Sequence, residues 1–526
     1  MSARNLLVVA PPRPRPPRVT RAPALIWAMR GAAVVATALA VLPLVYLVVR
    51  ATDKGWEGVR ATLVRPRTLE LTLRSLELAL IVTALTLVIG LGLAWLVTRT
   101  DLPFRRVVQV AAGLPLALPS FVAAWSWIGF RPGLAGRTGA VVVLTTISYP
   151  YVYLPAMAAL RRCDPALEDT ARSLGHRRWS VLWRVTLPQV RPAAVGGGLL
   201  VGLYVLSDFG AVATMRHQVL THAIYTSYRS SFDRTPAAVL GCVLAALTLA
   251  IVVVENRTRR HQLVARVGGG AARSQPVVAL GPWRWPLLVV PAAVVGVSLG
   301  VPAWGMYRWF SRGSSRADAH ELWTAVGNTL QVSALAALAV VALVTPVAVL
   351  SVRHPGPLAR TAERAAYAGH ALPGVVVGLS LVFFGIRAVP AMYQRLPLLV
   401  GAYVVLFMSL GLGAIQAAVA QVPPALEDVA RTLGRGPLAA WTAVTLRLAA
   451  PGLGAAATLV FLTAMKELPA ALFLRPTGFD TLSTRLWSHV SSLSYAAAAP
   501  YAVTIVVLAA VPTAVLATIG DRRSRA

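Results

Sequence analysis

Charge is scarce in this chain. Of 526 residues only 13% are Asp, Glu, Lys or Arg, against about 25% in soluble domains. With 57% hydrophobic residues and a mean hydropathy of +0.67, a soluble globular class is excluded. Lysine occurs twice, as Lys54 and Lys466, and neither follows a Gly-x-x-x-x-Gly pattern. Without a phosphate loop the chain has no means of hydrolysing ATP itself. Cys163 and Cys242 are the only cysteines, at no metal or redox spacing, and read as inert small residues. Eight histidines are scattered with no His-Glu-x-x-His, and Glu321 and Glu363 are expected at loop positions without partners. No catalytic constellation is present, and no metal set can be assigned.

What the sequence does have is apolar runs of roughly 20 residues, the length that crosses a bilayer as a helix. They fall near 24–49, 71–97, 107–130, 139–160, 191–215 and 236–254, and again near 284–306, 328–351, 366–388, 397–420, 449–473 and 497–519. Only helices or closed barrels satisfy backbone groups in lipid, and runs this long are helices. The expected fold is therefore an all-α polytopic membrane protein of about twelve spans. Its expected domains are a disordered Pro/Arg tail (1–23), a first transmembrane domain (24–256), a connector (257–283), a second transmembrane domain (284–520) and a short tail (521–526). The N-terminal arginines mimic a signal peptide, but the following apolar run is too long for one and lacks a clear cleavage site.

The formal net charge of +31 comes almost entirely from arginine. The arginines sit in short loops between spans, where anionic lipid and membrane orientation account for them, so membrane lipid is an expected partner and nucleic acid is not. Loops carrying most arginine alternate with loops carrying less. That bias, moderate because Arg60, Arg65, Arg67, Arg229 and Arg234 lie on the other side, places both termini and two polar loops in the cytoplasm.

The two sets of six spans are repeats. Pro103 and Pro357, Arg106 and Arg360, and Pro119 and Pro373 are each separated by 254 residues. Further on the offset is 259, relating Pro165 to Pro424, Glu168 to Glu427, Ala171 to Ala430, Gly175 to Gly434, Thr186-Leu187 to Thr445-Leu446, and Asp208 to Glu467. An even number of spans per copy starts both on the same side, giving parallel repeats about an axis along the membrane normal.

Each copy contains one polar loop between apolar spans, at Glu168–Pro188 and from Glu427 on. Pro165 or Pro424 opens a short helix with acidic residues in its positive first turn. Gly175 or Gly434 ends it in a left-handed conformation. A second piece follows, with Trp179, Leu182, Trp183 and Val185 in the first copy and Leu438, Trp441 and Val444 in the second. Helix, glycine turn and helix with an apolar edge suit insertion into a partner's groove, although an interfacial helix lying on lipid has the same pattern.

Within the fifth span of each copy stand charges that are costly in a membrane: Asp208, and Lys466 with Glu467. They read either as a candidate translocation path or as an ion pair in which Lys466 answers Asp208. Glu77 and its counterpart Gln331 read as helix–helix hydrogen-bond partners. Arg216 and Arg475, just beyond the fifth spans, are candidate contacts for an acidic partner or plain solvated loop residues.

The loops resemble the "EAA" motif of permease subunits of binding-protein-dependent ABC importers: Glu-Ala-Ala, three residues, Gly, nine residues, Ile-x-Leu-Pro. The first copy reads Asp169-Thr170-Ala171, Gly175, Val185, Leu187, Pro188, and the second Asp428-Val429-Ala430, Gly434, Val444, Leu446, Arg447. Arg447 replaces the terminal proline, which suggests a less rigid exit from the second loop. The resemblance implies that both loops are coupling helices seated on two copies of an ATPase subunit. On that reading ATP is used by the partner, no cofactor is bound directly, and an extracytoplasmic binding protein delivers the cargo. Leu206-Ser207-Asp208-Phe209-Gly210 and Met465-Lys466-Glu467-Leu468-Pro469-Ala470 are similar to fused iron(III) permeases, with thiamine permeases next. The rival class is a twelve-helix secondary transporter, which would need no repeated docking loop.

Overall fold

The structure, a computed structural model, describes residues 23–230, 233–260, 277–311 and 318–510. All but the last residue of the expected tail at 1–23, the tail at 521–526, most of the connector, and the last part of the final span lie outside them.

Among the described residues nine helices are long and apolar enough to cross a membrane, and two further spans are bent helix pairs. A shorter apolar helix, Ala499–Ala510, begins the last span. The protein is all-α and polytopic, built as two parallel repeats. Isolated large apolar side chains such as Val34, Leu80, Val88 and Leu338 point outward from these helices, as lipid-facing positions do.

The expected third span of each half is not one straight helix. In the first half, Arg105–Ala117 meets Ser120–Phe130 at 100°; in the second, Pro357–Gly369 meets Gly374–Arg387 at 109°. The repeat-related Pro119 and Pro373 sit at the elbows in extended conformation. Proline removes a backbone donor and forces the residue before it out of the helical region, as Leu118 shows. Each fifth span is likewise broken: Leu187–Ser207 gives way at Asp208 to the short helix Gly210–Thr214, and Arg447–Met465 gives way at Lys466-Glu467 to Pro469–Leu474.

The halves interlock. The first helix of the chain, Pro23–Ala51, packs on Ala319–Arg353, Pro357–His370 and Gly374–Arg387 of the opposite half. Ala33, Ala36 and Ala40 recur on one face of it and are buried, and Ala40 lies 3.7 Å from where a β-carbon on Gly369 would be. Reciprocally, Val301–Ser311 packs on Ser120–Phe130, where Gly305 lies so close to Ser126 that a β-carbon would meet it at 2.7 Å. Small residues permit this approach, the usual means of tightening helix contacts in lipid.

The second helices are long. Pro66–Arg99 has 34 residues and Ala319–Arg353 has 35, so at 1.5 Å per residue each runs about 50 Å against about 30 Å of hydrocarbon. Their ends, Arg99 and Arg353, are thereby carried to the level of the polar loops.

Candidate functional site

The two polar loops adopt one backbone design. The helices Pro165–Ser173 and Pro424–Thr432 both start at proline. Both end at a glycine with positive φ, +84° at Gly175 and +81° at Gly434. His176 N–H donates to Ala171 O and Gly175 N–H to Arg172 O, at 3.1 and 2.9 Å. Arg435 and Gly434 repeat this on Ala430 and Arg431 at 3.1 and 3.0 Å. These are the paired bonds of a Schellman turn, which consume the last carbonyls of a helix. Ala171 and Ala430 are buried beneath the turn, while Leu167, Leu174 and Trp179 in one loop and Leu426, Val429, Leu433 and Leu438 in the other are exposed.

After the turn each loop re-enters helix through a single π turn, Leu182–Thr186 or Trp441–Leu446. Leu187-Pro188 in one copy and Leu446-Arg447 in the other lie on this continuous path. The arginine in place of proline does not divert it, since proline at a first helical position asks for the geometry already present.

The acidic residues divide into two kinds. Asp169 and Asp428 are exposed and meet only the arginines three residues on, Arg172 at 3.5 Å and Arg431 at 3.8 Å. Glu168 instead is buried and takes two bonds from Arg99, at 2.9 and 3.3 Å, and one from the Thr186 hydroxyl at 2.8 Å, with Arg172 farther off at 3.8 Å. Among the described residues Glu427 keeps only the matching bond from Thr445. Arg353, the counterpart of Arg99, turns to the carbonyls of Val419 and Val422. The Arg99 partnership was missed by motif reading. The signal available was the 254-residue offset between Arg99 and Arg353, both ending the second span of their half.

A cavity of about 480 Å³ lies between the first loop and Val277–Ala279, lined by Trp95, Arg99, Arg172 and Trp179 among others. A second cavity, about 300 Å³, lies where the four helix breaks converge. Leu118-Pro119 and Gly374 enter it from the elbows, and Asp208, Lys466 and Glu467 from the fifth spans. The structure thus brings the three intramembrane charges to one wall-to-wall space between the halves.

Their bonding removes one of the two readings left open by the sequence. No Asp208–Lys466 ion pair occurs among the described residues. Asp208 Oδ1 accepts from the N–H groups of Ala211 and Val212 at 2.8 and 3.3 Å, and Glu467 Oε1 from Ala470 N–H at 3.1 Å. Each carboxylate caps the short helix after its break, where amides are otherwise unpaired. The Lys466 ammonium donates across the cavity to Leu116 O at 3.3 Å. Gly374 admits Glu467, since a β-carbon there would lie 2.5 Å from Oε1, and Gly210 admits Phe121 in the same way.

Beside the cavity Phe209 packs on Trp487 and Tyr225, with ring centroids 5.0 and 4.8 Å away, and Tyr225 on Phe473 at 5.8 Å. This aromatic cluster draws on both halves and was not foreseen, because the residues are far apart in sequence. Glu77 pairs with Arg137 on the adjoining helix, while Gln331 is exposed. Glu321 and Glu363, expected in loops without partners, are instead set in helices beside Arg485 and Gln416. Arg475 is taken by Asp480 within the chain, and Arg216 remains exposed. No group of three or more His, Cys, Asp or Glu side chains able to hold a metal occurs among the described residues.

The sequence has counterparts among known proteins. The chain matches the family described as binding-protein-dependent transport system inner membrane component twice, over residues 86–257 and 345–525. It is 34% identical to an Fe(3+)-transport system permease protein of Haemophilus influenzae, over 90% of this chain and 95% of that one. A probable sulfate transport system permease protein of Chlorokybus atmophyticus is 28% identical over 40% of this chain and 80% of its own. A molybdenum transport system permease protein of Escherichia coli K12 is 26% identical over 39% and 93%. Two tandem copies of a helix bundle, each with its glycine-turned loop, therefore place this chain in the binding-protein-dependent ABC importer family, as a multi-pass inner-membrane permease and transport subunit.

Proposed function

We propose that the chain imports iron(III) delivered by an extracytoplasmic binding protein, driven by ATP hydrolysis on a separate ATPase. The 34% identity to an Fe(3+)-transport permease across nearly the whole length of both chains carries this reading. In it, two ATPase copies seat the loops at Glu168–Pro188 and Glu427–Arg447, with both termini on the same, cytoplasmic, side. Asp169 and Asp428, exposed beside Leu174 and Leu433, supply charge and apolar contact for the ATPase groove. Closure of the ATPases pushes the loops, and the bundles exchange outward for inward access because ATP and cargo favour different states.

The cargo path runs through the cavity of Asp208, Lys466 and Glu467. Each carboxylate commits one oxygen to backbone amides and keeps lone pairs for a passing cation. Binding there is weak by design, since a tight metal cage would hold the cargo, and the absence of a three-ligand cluster among the described residues is in keeping with passage. Labelled iron(III) uptake into cells lacking the chromosomal copy tests the cargo, with thiamine, sulfate and molybdate as alternatives. Uptake that survives ATP depletion, or a purified complex lacking any ATPase, overturns the importer reading in favour of a secondary carrier.

A further inference from the structure

We propose that Arg99 is a positioning residue that makes the first loop the stiff lever of the pair, transmitting its movement both to the second span and to the opposite half. The inference rests on the coupling role proposed above and specifies how the two loops differ in it. Arg99 and Glu168 side chains are each only 5% exposed, and the two-pronged guanidinium contact fixes direction as well as distance. Thr186 closes the triangle from the far side of the turn, so the helix Pro165–Ser173, the π turn and the end of Pro66–Arg99 move as one body.

The backbone of Arg99 extends that body. Its carbonyl accepts from Val278 N–H at 2.8 Å, and Asp101 N–H donates to Val278 O at 3.3 Å. Leu280 N–H donates to Asp101 Oδ1 at 2.8 Å. Residues 278–280 lead directly into the helices running from Gly281 to Ser311, whose far end packs on Ser120–Phe130. A push on the first loop is therefore handed through Arg99 to a helix of the second half and back to the elbow at the central cavity. In the second loop Arg353 holds the carbonyls preceding the short helix, and among the described residues Thr445 alone ties Glu427 to the turn.

The test uses the full chain reconstituted with its ATPase and binding protein, reading iron(III) taken up per ATP hydrolysed. A structural role alone lowers the amount of assembled transporter and leaves this ratio unmoved. Arg99→Met is expected to lower the ratio about tenfold, because buried Glu168 then keeps only Thr186 and the more distant, exposed Arg172. Exchanging the charges, Arg99→Glu with Glu168→Arg, is expected to recover part of it. Arg99→Lys keeps the charge but loses the fork and, folding where Arg99→Met does not, lowers the ratio by about threefold. Arg353→Met is expected to change it by less than about twofold, since it loses only carbonyl bonds. An unchanged ratio in both Arg99 variants, or an equal fall in Arg353→Met, overturns the proposal. No ATP-driven uptake by the wild-type chain overturns the coupling reading itself, and this inference with it.

Discussion

The turn at 165–186 and its repeat at 424–445 close with the same pair of backbone bonds around a left-handed glycine, yet they are anchored differently. In the first, Asp164 caps the helix through a 3.0 Å bond from Ala166 N–H and Glu168 lies in a buried ion pair. In the second, Pro423 stands where Asp164 would and offers no cap, and Glu427 has no arginine partner among the described residues. Duplication has kept what the backbone demands and let the side-chain anchors drift. A glycine turn is specified by a few local residues, whereas an anchor needs a partner dozens of positions away.

The largest expected effect separates the anchors. Glu168→Ala leaves Arg99 buried without its partner and should cost about 3–5 kcal/mol, whereas Glu427→Ala loses about one hydrogen bond, about 1 kcal/mol. Thermal unfolding of the purified variants measures both, and equal losses would erase the distinction.

The shared turn should respond alike in both copies. A β-carbon at Gly175 or Gly434 would meet nothing within 4 Å, so Gly175→Val and Gly434→Val are expected to cost chiefly the left-handed backbone, at least about 1–2 kcal/mol each. Cargo uptake should be lost in both while the protein stays in the membrane. Retained uptake in either variant would show that its turn is dispensable.

A smaller stability effect with a large functional one is expected at the exposed acids. Asp169→Lys and Asp428→Lys should each shift stability by no more than about 0.5 kcal/mol, yet ATPase should no longer copurify with the double variant. Undiminished copurification would remove these acids from the docking surface.

The smallest effect lies at the far end of the bundle, where the halves meet without either loop. Asp53 takes hydrogen bonds from Arg387 at 2.7 and 2.9 Å, and that bond, chiefly, lowers its carboxyl pKa from 3.8, with Arg50 adding to it and partial burial opposing. A depressed carboxyl contributes stability above its ordinary value and loses it as pH falls through the lower folded value. Asp53→Asn should therefore flatten a slight acid sensitivity of unfolding below about pH 4. If the sensitivity persists in the variant, it belongs to the loops or to other carboxylates.

Much of this was legible in the sequence. Span length and the scarcity of charge set an all-α membrane fold, because a bilayer admits little else. Fixed offsets exposed the duplication, and Pro165, Gly175 and their repeats placed each short helix and its turn to the residue. Less legible were the elbows: Pro119 and Pro373 were visible as repeat partners, but apolar runs on both sides hid that the chain turns by about a right angle there. The alternative of an ion pair between Asp208 and Lys466 failed for a related reason. Helix breaks expose amide groups at the same place, and a carboxylate satisfies these before it reaches a lysine on another wall.

The sequence by itself determined that this chain crosses a membrane in two equivalent sets of helices, each bearing a glycine-turned loop, since hydropathy, period and turn chemistry are local properties. Only the tertiary structure decided that Arg99 reaches Glu168, that four helix breaks share one cavity, and that each half lends its first helix to the other. Those depend on where distant segments come to rest, and packing, rather than any local preference, selects among the arrangements that the local pattern allows.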